Sequence, residues 1–170
     1  VFFVALTLVI FSAMSQAQLA TIPPPRVSVD SYILIDHETG SVLAEKNADK
    51  KMEPASLSKI MTTYVAADAL KAGHIKLSES TIVSKKSWRM EGSRMFIEVG
   101  KRVVLDDLLN GIIVQSGNDS SVALAEHLYG SEESFVEQMN SMAEALKMTN
   151  SSFGNVTGLP DRNTFVTARD

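Results

Sequence analysis

The sequence predicts an α+β or α/β chain in which an antiparallel strand pair precedes a helical subdomain. Three observations carry this expectation. A β-branched and aromatic stretch near residue 31 runs into turn chemistry and a second extended stretch, and apolar residues recur at helical spacing from residue 56 onward. The composition is that of an ordinary globular protein, 45% hydrophobic and 21% charged with nine Gly and five Pro. At 170 residues, one domain or part of one is expected.

The first twenty residues carry no charge, and their apolar run from Val1 to Phe11 is shorter than the roughly 20 residues a helix needs to span a bilayer. Ser15 and Ala17 supply small residues at the cleavage positions, with Ala20 a poorer alternative. Residues 1–17 are therefore expected to be a signal peptide, incomplete at its N-terminus, and residues 18–30, with Pro23-Pro24-Pro25, a linker. Export is the expectation that follows.

Ser31 to Asp36 and Ser41 to Glu45 read as the two strands of a hairpin around His37-Glu38-Thr39-Gly40. A polar loop follows. From Ser56 to Gly73, apolar residues at 57, 60, 61, 64–67, 69 and 70 cover almost every side of a helix, which places it centrally and buried. Thr81 to Ser84 is expected as a short strand, and Glu91-Gly92-Ser93 as a loop before Met95 to Val99. A second helix runs from Leu105 or Asp106 through Val114, with acids in its first turn facing the positive end of the helix dipole. After the break at Gln115-Ser116-Gly117-Asn118-Asp119, a third helix spans Ser120 to Tyr129 and a fourth Glu132 to Lys147, where Phe135, Met139, Met142 and Leu146 form a core stripe. Thr167 to Asp170 resembles the beginning of another helix.

A net charge of -4 with scattered Lys and Arg gives no footprint for nucleic acid. The absence of cysteine excludes disulfides, a thiol nucleophile and Cys-ligated metal. His37, His74 and His127 fall in a turn, past a helix end and on an apolar helix, and structural roles are expected for each.

Two short motifs remain. Ser56-Leu57-Ser58-Lys59 contains the one Ser-x-x-Lys, and Ser116-Gly117-Asn118 the one Ser-x-Asn; each is expected about once by chance in such a composition. Their context is physical. Ser56 opens an apolar helix, where free N–H groups and the dipole stabilise negative charge on a substrate oxygen. Lys59 lies one turn on, within reach of the hydroxyl, as a base beside a nucleophile. Desolvation there is expected to lower its pKa from near 10.4, making a neutral amine accessible. The same residues also suit an N-capping serine and a lysine that snorkels to solvent. Ser116-Gly117-Asn118, between two helices, offers hydroxyl and amide groups that can face the first pair across a cleft.

Pro54-Ala55-Ser56-Leu57-Ser58-Lys59 and Ser116-Gly117-Asn118-Asp119 resemble the first two active-site motifs of penicillin-recognising serine enzymes, in particular the exported D-alanyl-D-alanine carboxypeptidases among the low-molecular-mass penicillin-binding proteins. The likeness extends in order through GSRMFIEVG, LLNGIIVQSGNDSSVALAEHLYGS, FVEQMN, TGLP and TARD, and covers nearly all of Ser31 to Asp170. It implies a β-lactamase/transpeptidase-like fold, a helical subdomain plus antiparallel sheet, with the sheet incomplete here. It makes Ser56 the acyl-forming nucleophile and Lys59 its base, gives Ser116 a proton relay towards the leaving group, and has Asn118 bind substrate and orient Lys59. The implied reaction removes the terminal D-alanine from peptidoglycan stem pentapeptides without metal or cofactor, in the periplasm or on the outer face of a bacterial cytoplasmic membrane. β-Lactams are the implied inhibitors.

The family's third motif, Lys-Thr-Gly or Lys-Ser-Gly, is absent from the 170 residues. Residues 31–170 are therefore expected to be the N-terminal part of the catalytic domain, inactive alone, with the full protein associated with the membrane surface through a C-terminal helix. Two alternatives stay open: a serine β-lactamase, and a non-enzymatic penicillin-sensing or wall-binding module. The Glu-x-x-Leu-Asn of the best known lactamase class is missing, its nearest approach being Glu137-Gln138-Met139-Asn140.

Overall fold

Strands β1 (Tyr32–Ile35) and β2 (Val42–Lys46) pair antiparallel, with Tyr32 opposite Lys46 and Leu34 opposite Ala44. Asp36 builds the turn between them: its Oδ1 accepts the Thr39 N–H at 2.8 Å and the Thr39 hydroxyl at 2.6 Å. The hairpin predicted from the sequence is thus present in the computed structural model, which describes residues 26–170. The expected signal peptide and the linker up to residue 25 lie outside the described residues.

A 3-10 turn at Ala55–Leu57 leads into α1 (Ser58–Lys71). Ser56 therefore precedes the α-helix proper, and the N-cap position falls to Leu57, whose side chain has no group that could bond the free N–H groups. Nor is α1 covered on every side. Met61, Thr62, Val65, Ala66 and Ala69 are buried, whereas Leu57, Ile60 and Tyr64 are 67%, 69% and 47% exposed. With Pro54, Leu146 and Val166, that exposed stripe lines an apolar cleft of about 260 Å³. An all-apolar helix surface is compatible with burial on any side, but neighbours decide which side is covered, and among the described residues they stand on one face only.

The short strand starts one residue early and ends two residues early, as β3 (Ser80–Ile82), and pairs antiparallel with β4 (Arg102–Val104), Thr81 opposite Val103. Neither β4 nor α2 (Lys85–Trp88) was legible, because three or four residues are too few to show a period. Ser84 starts α2 by accepting the Ser87 N–H at 2.9 Å.

Helices α3 (Leu105–Gln115), α4 (Asn118–Tyr129) and α5 (Glu132–Ala145) follow the predicted order. Helix α4 starts two residues before the expected Ser120, and it takes the central place expected of α1: every residue from Asn118 to Ala125 is buried. On one side Leu124 and Ala123 join Leu105, Leu108, Ile112, Ala66 and Val83. On the other, Val122 and Ala125 join Met61, Val65, Phe135, Met139 and Phe153. Phe135 and Met139 of the expected stripe are fully buried, while Leu146 is 45% exposed beyond the end of α5. Ser131 caps α5 through the Ser134 N–H at 3.1 Å.

Residues 167–170 are not helical, contrary to expectation. Val166 exchanges two 2.9 Å backbone bonds with Met52, and Arg169 reaches Asp49 and Glu45 at 2.7 Å each. Extended pairing and this ion cluster satisfy the segment where a helix would leave both unmade.

Candidate active site

The nucleophile candidate sits at a strained corner. Ala55 has φ +48°, a left-handed conformation unfavourable for a residue with a Cβ, and it directs the chain so that Ser56 emerges exposed at the entrance to α1. One turn on, Lys59 points the other way in environment: it is 4% exposed. Its Nζ donates to the Ser56 Oγ at 3.3 Å and to the Thr157 carbonyl at 2.7 Å. The lysine does not snorkel to solvent.

Burial alone lowers the Lys59 amine from 10.5 to about 8. The apolar shell withdraws water from the ammonium, and among the described residues no carboxylate bonds to it to restore the charge.

The second motif forms the corner between α3 and α4. Ser116 ends α3 in the left-handed region at φ +54° and is half-buried, and Gly117 precedes the first turn of α4. A Cβ on Gly117 would come within 2.9 Å of the Ser120 Oγ and 3.2 Å of the Gly111 carbonyl, so the tight corner requires glycine. Asn118, 4% exposed, donates its backbone N–H to the Ser93 carbonyl at 2.7 Å and its Nδ2 to the Glu91 carbonyl at 2.6 Å. Because a carbonyl can only accept, Glu91 sets which end of the Asn118 amide is nitrogen.

Ser56 and Lys59 are thus in contact, and Ser116 and Asn118 form a second cluster. No hydrogen bond joins the two clusters among the described residues. His127 meets Glu79 at 3.2 Å. Among the described residues no group of three or more His, Cys, Asp or Glu is placed to hold a metal ion.

Three features of the site escaped the sequence. Asp119, 1% exposed, accepts the N–H groups of Met95 at 2.9 Å, Ile97 at 3.2 Å and Ser120 at 2.9 Å, and so ties the 91–97 segment to the start of α4. Glu91 holds Asn118 through a backbone oxygen, to which side-chain identity gives no clue. The Thr157 carbonyl reaches Lys59 across 98 residues of chain. The signal available for that last contact was Asn155-Val156-Thr157-Gly158, which carries turn chemistry.

The geometry stands beside clear similarities to known proteins. The family model of D-alanyl-D-alanine carboxypeptidase matches residues 17–170. The chain is 45% identical to the D-alanyl-D-alanine carboxypeptidase DacC of Escherichia coli over 96% of its own length and 42% of the relative's. It is 37% identical to DacA of Haemophilus influenzae over 99% and 43%. Among solved structures, penicillin binding protein 5 from Haemophilus influenzae superposes with a TM-score of 0.84 at 38% identity, over 87% of this chain and 44% of that one. The carboxypeptidase DacD from Francisella tularensis gives 0.83 at 36%, over 88% and 37%. The chain spans about two fifths of the length of the curated relatives it matches.

Proposed function

The chain belongs to the D-alanyl-D-alanine carboxypeptidase family, and on that footing we propose that the whole protein is a serine-type carboxypeptidase that removes the terminal D-alanine from peptidoglycan stem pentapeptides. The observation that carries the reading is the Lys59 amine, buried, held near 8 and 3.3 Å from the Ser56 hydroxyl. At pH 7 an amine with an ordinary pKa is neutral in about one molecule in three thousand, whereas one near 8 is neutral in about one in ten. Burial raises the population of competent base roughly 300-fold.

A neutral amine has two hydrogens and one lone pair. With one N–H on the Thr157 carbonyl, the lone pair is free to take the Ser56 proton. Ser56 Oγ attacks the carbonyl carbon of the penultimate D-alanine as Lys59 receives that proton, and the oxyanion is stabilised by the Ser56 backbone N–H. The intermediate collapses by breaking the C–N bond. Ser116 relays the proton that Lys59 took from Ser56 to the departing amine, which leaves Lys59 neutral again, and D-alanine departs. Water then adds to the ester carbonyl with Lys59 again as base, and the acyl C–Oγ bond breaks as Lys59 returns that proton to Ser56 Oγ. Asn118 binds the substrate through an amide whose sense the Glu91 carbonyl fixes; among the described residues no hydrogen bond joins it to Lys59, whose partners are Ser56 and Thr157. A β-lactam acylates the same serine by opening its ring, so no leaving group departs.

In the same reading the protein acts in the periplasm, at the outer face of a bacterial cytoplasmic membrane, with peptidoglycan as its partner. Mass spectrometry of the full-length protein with a penicillin, beside D-alanine release from a pentapeptide, tests it. A lasting adduct on Ser56 together with release is expected. Rapid penicillin hydrolysis would instead point to a lactamase, and an adduct without release to a sensor.

A further inference from the structure

We propose that the turn from Asn155 to Gly158 is a positioning element serving two parts of the site at once: the Thr157 carbonyl aims the Lys59 amine at Ser56, and Gly158 sets the plane of the Ala55–Ser56 peptide. The inference rests on the serine–lysine reading above and adds to it residues that lie about a hundred positions downstream of the motif.

The turn is organised by one side chain. Asn155 Oδ1 accepts the Thr157 N–H at 3.1 Å, the Thr157 hydroxyl at 3.0 Å and the Gly158 N–H at 2.7 Å, while its Nδ2 donates to the Leu159 carbonyl at 3.0 Å. The Leu159 N–H closes the arrangement on the Thr157 Oγ1 at 3.2 Å. With the N–H groups of Thr157 and Gly158 turned towards Asn155, the Thr157 carbonyl is left to face Lys59. The preceding residue is pinned as well, since the fully buried Thr62 of α1 donates its hydroxyl to the Val156 carbonyl at 2.9 Å. A backbone acceptor held at both flanks cannot swing, so it orients the amine instead of following it.

Gly158 makes the second contact. At φ +78° a Cβ would overlap the carbonyl group of Ala55 and come within 2.9 Å of the Ser58 Oγ. Its bare α-carbon therefore lies against the peptide that links Ala55 to Ser56. The carbonyl of that peptide belongs to the strained Ala55, and its N–H belongs to Ser56, the donor assigned to the oxyanion. A left-handed alanine persists only where surroundings hold it, and Gly158 is the neighbour that packs there.

Among the described residues no charged side chain bonds to the Lys59 amine, whose partners are the Ser56 hydroxyl and the Thr157 carbonyl. The carbonyl favours the protonated amine, so loosening the turn both misdirects the base and removes an acceptor from its charged form.

The test uses the full-length protein and the rate of acylation by a fluorescent penicillin, measured from about pH 6 to about pH 10, with thermal melts alongside. Asn155→Ala is expected to lower the alkaline plateau about tenfold or more and to move the midpoint of the rise to lower pH. Asn155→Asp, which keeps an acceptor for the three bonds, is expected to restore most of the rate. Should Asn155→Ala fail to fold, Thr157→Val, of the same shape but without the hydroxyl that closes the turn, is expected to shift the profile in the same sense. Gly158→Ala is expected to lower the plateau at least as far. Wild-type plateau and midpoint in the folded variants would overturn the inference, as would a loss of amplitude that only follows the loss of folded protein. Absence of labelling in the wild type itself would overturn the serine–lysine reading.

Discussion

Raising the pH of the full-length protein tests the buried base directly, because acylation of Ser56 should follow the neutral fraction of Lys59. With the amine at about 8, that fraction is near 1% at about pH 6 and near 90% at about pH 9, a rise of roughly 90-fold that then levels off. An amine with its ordinary pKa near 10.4 would climb about a thousandfold over the same interval and still be rising tenfold per unit. The two cases differ above pH 9, where one curve is flat and the other steep. The cause of the lower value is desolvation by the shell around α1, so it belongs to the free enzyme. Stopped-flow acylation with a chromogenic penicillin over this range, at concentrations well below saturation, reads it. A rate still climbing at about pH 10, or one independent of pH, would refute the assignment of Lys59 as the base.

The same burial predicts that Lys59→Met abolishes acylation yet raises the melting temperature at neutral pH. Between about 8 and 10.5 the unfolded chain binds more protons than the folded one, so wild-type stability rises with pH through that window. The variant's advantage is therefore full below about 8, at most about 3 kcal/mol and less as far as water reaches the amine, and fades towards 10.5. Asp119→Asn should cost about 1–3 kcal/mol in urea unfolding, since an amide cannot accept all three N–H groups that the carboxylate satisfies. Phe135→Ala should cost about 3–5 kcal/mol, because the ring is fully buried and also meets Tyr129 edge-on at a centroid distance of 5.4 Å. A loss below about 1 kcal/mol would show that the core around α5 collapses to fill the space.

Much of the fold can be read locally. The hairpin was legible in its alternation and turn residues, and the helices after residue 105 in their spacing. The order of burial was not. Helix α1 carries apolar residues all round but is covered on one face, while α4, which opens on the polar Asn118-Asp119-Ser120-Ser121, is buried without interruption through Ala125. Those polar side chains enter the core because backbone groups satisfy them: Asp119 takes three N–H groups, and Ser121 donates to the Gly117 carbonyl at 2.7 Å. Composition reports the water contacts a polar residue gives up on burial, and a backbone partner can replace them.

The sequence by itself determined the chemistry available to this protein. It carries no thiol, a serine and a lysine share one helical turn in an apolar setting, and a Ser-x-Asn corner lies 60 residues on. These are properties of neighbours in the chain, and helix geometry alone brings the first pair within reach. Only the tertiary structure decided how the lysine is held. Its carbonyl acceptor at Thr157 and the glycine packed against Ala55 come from a turn about a hundred residues downstream. Backbone carbonyls are identical at every position, so no pattern of side chains marks which of them will meet a buried amine. That choice is made when α1 packs against the 155–158 turn.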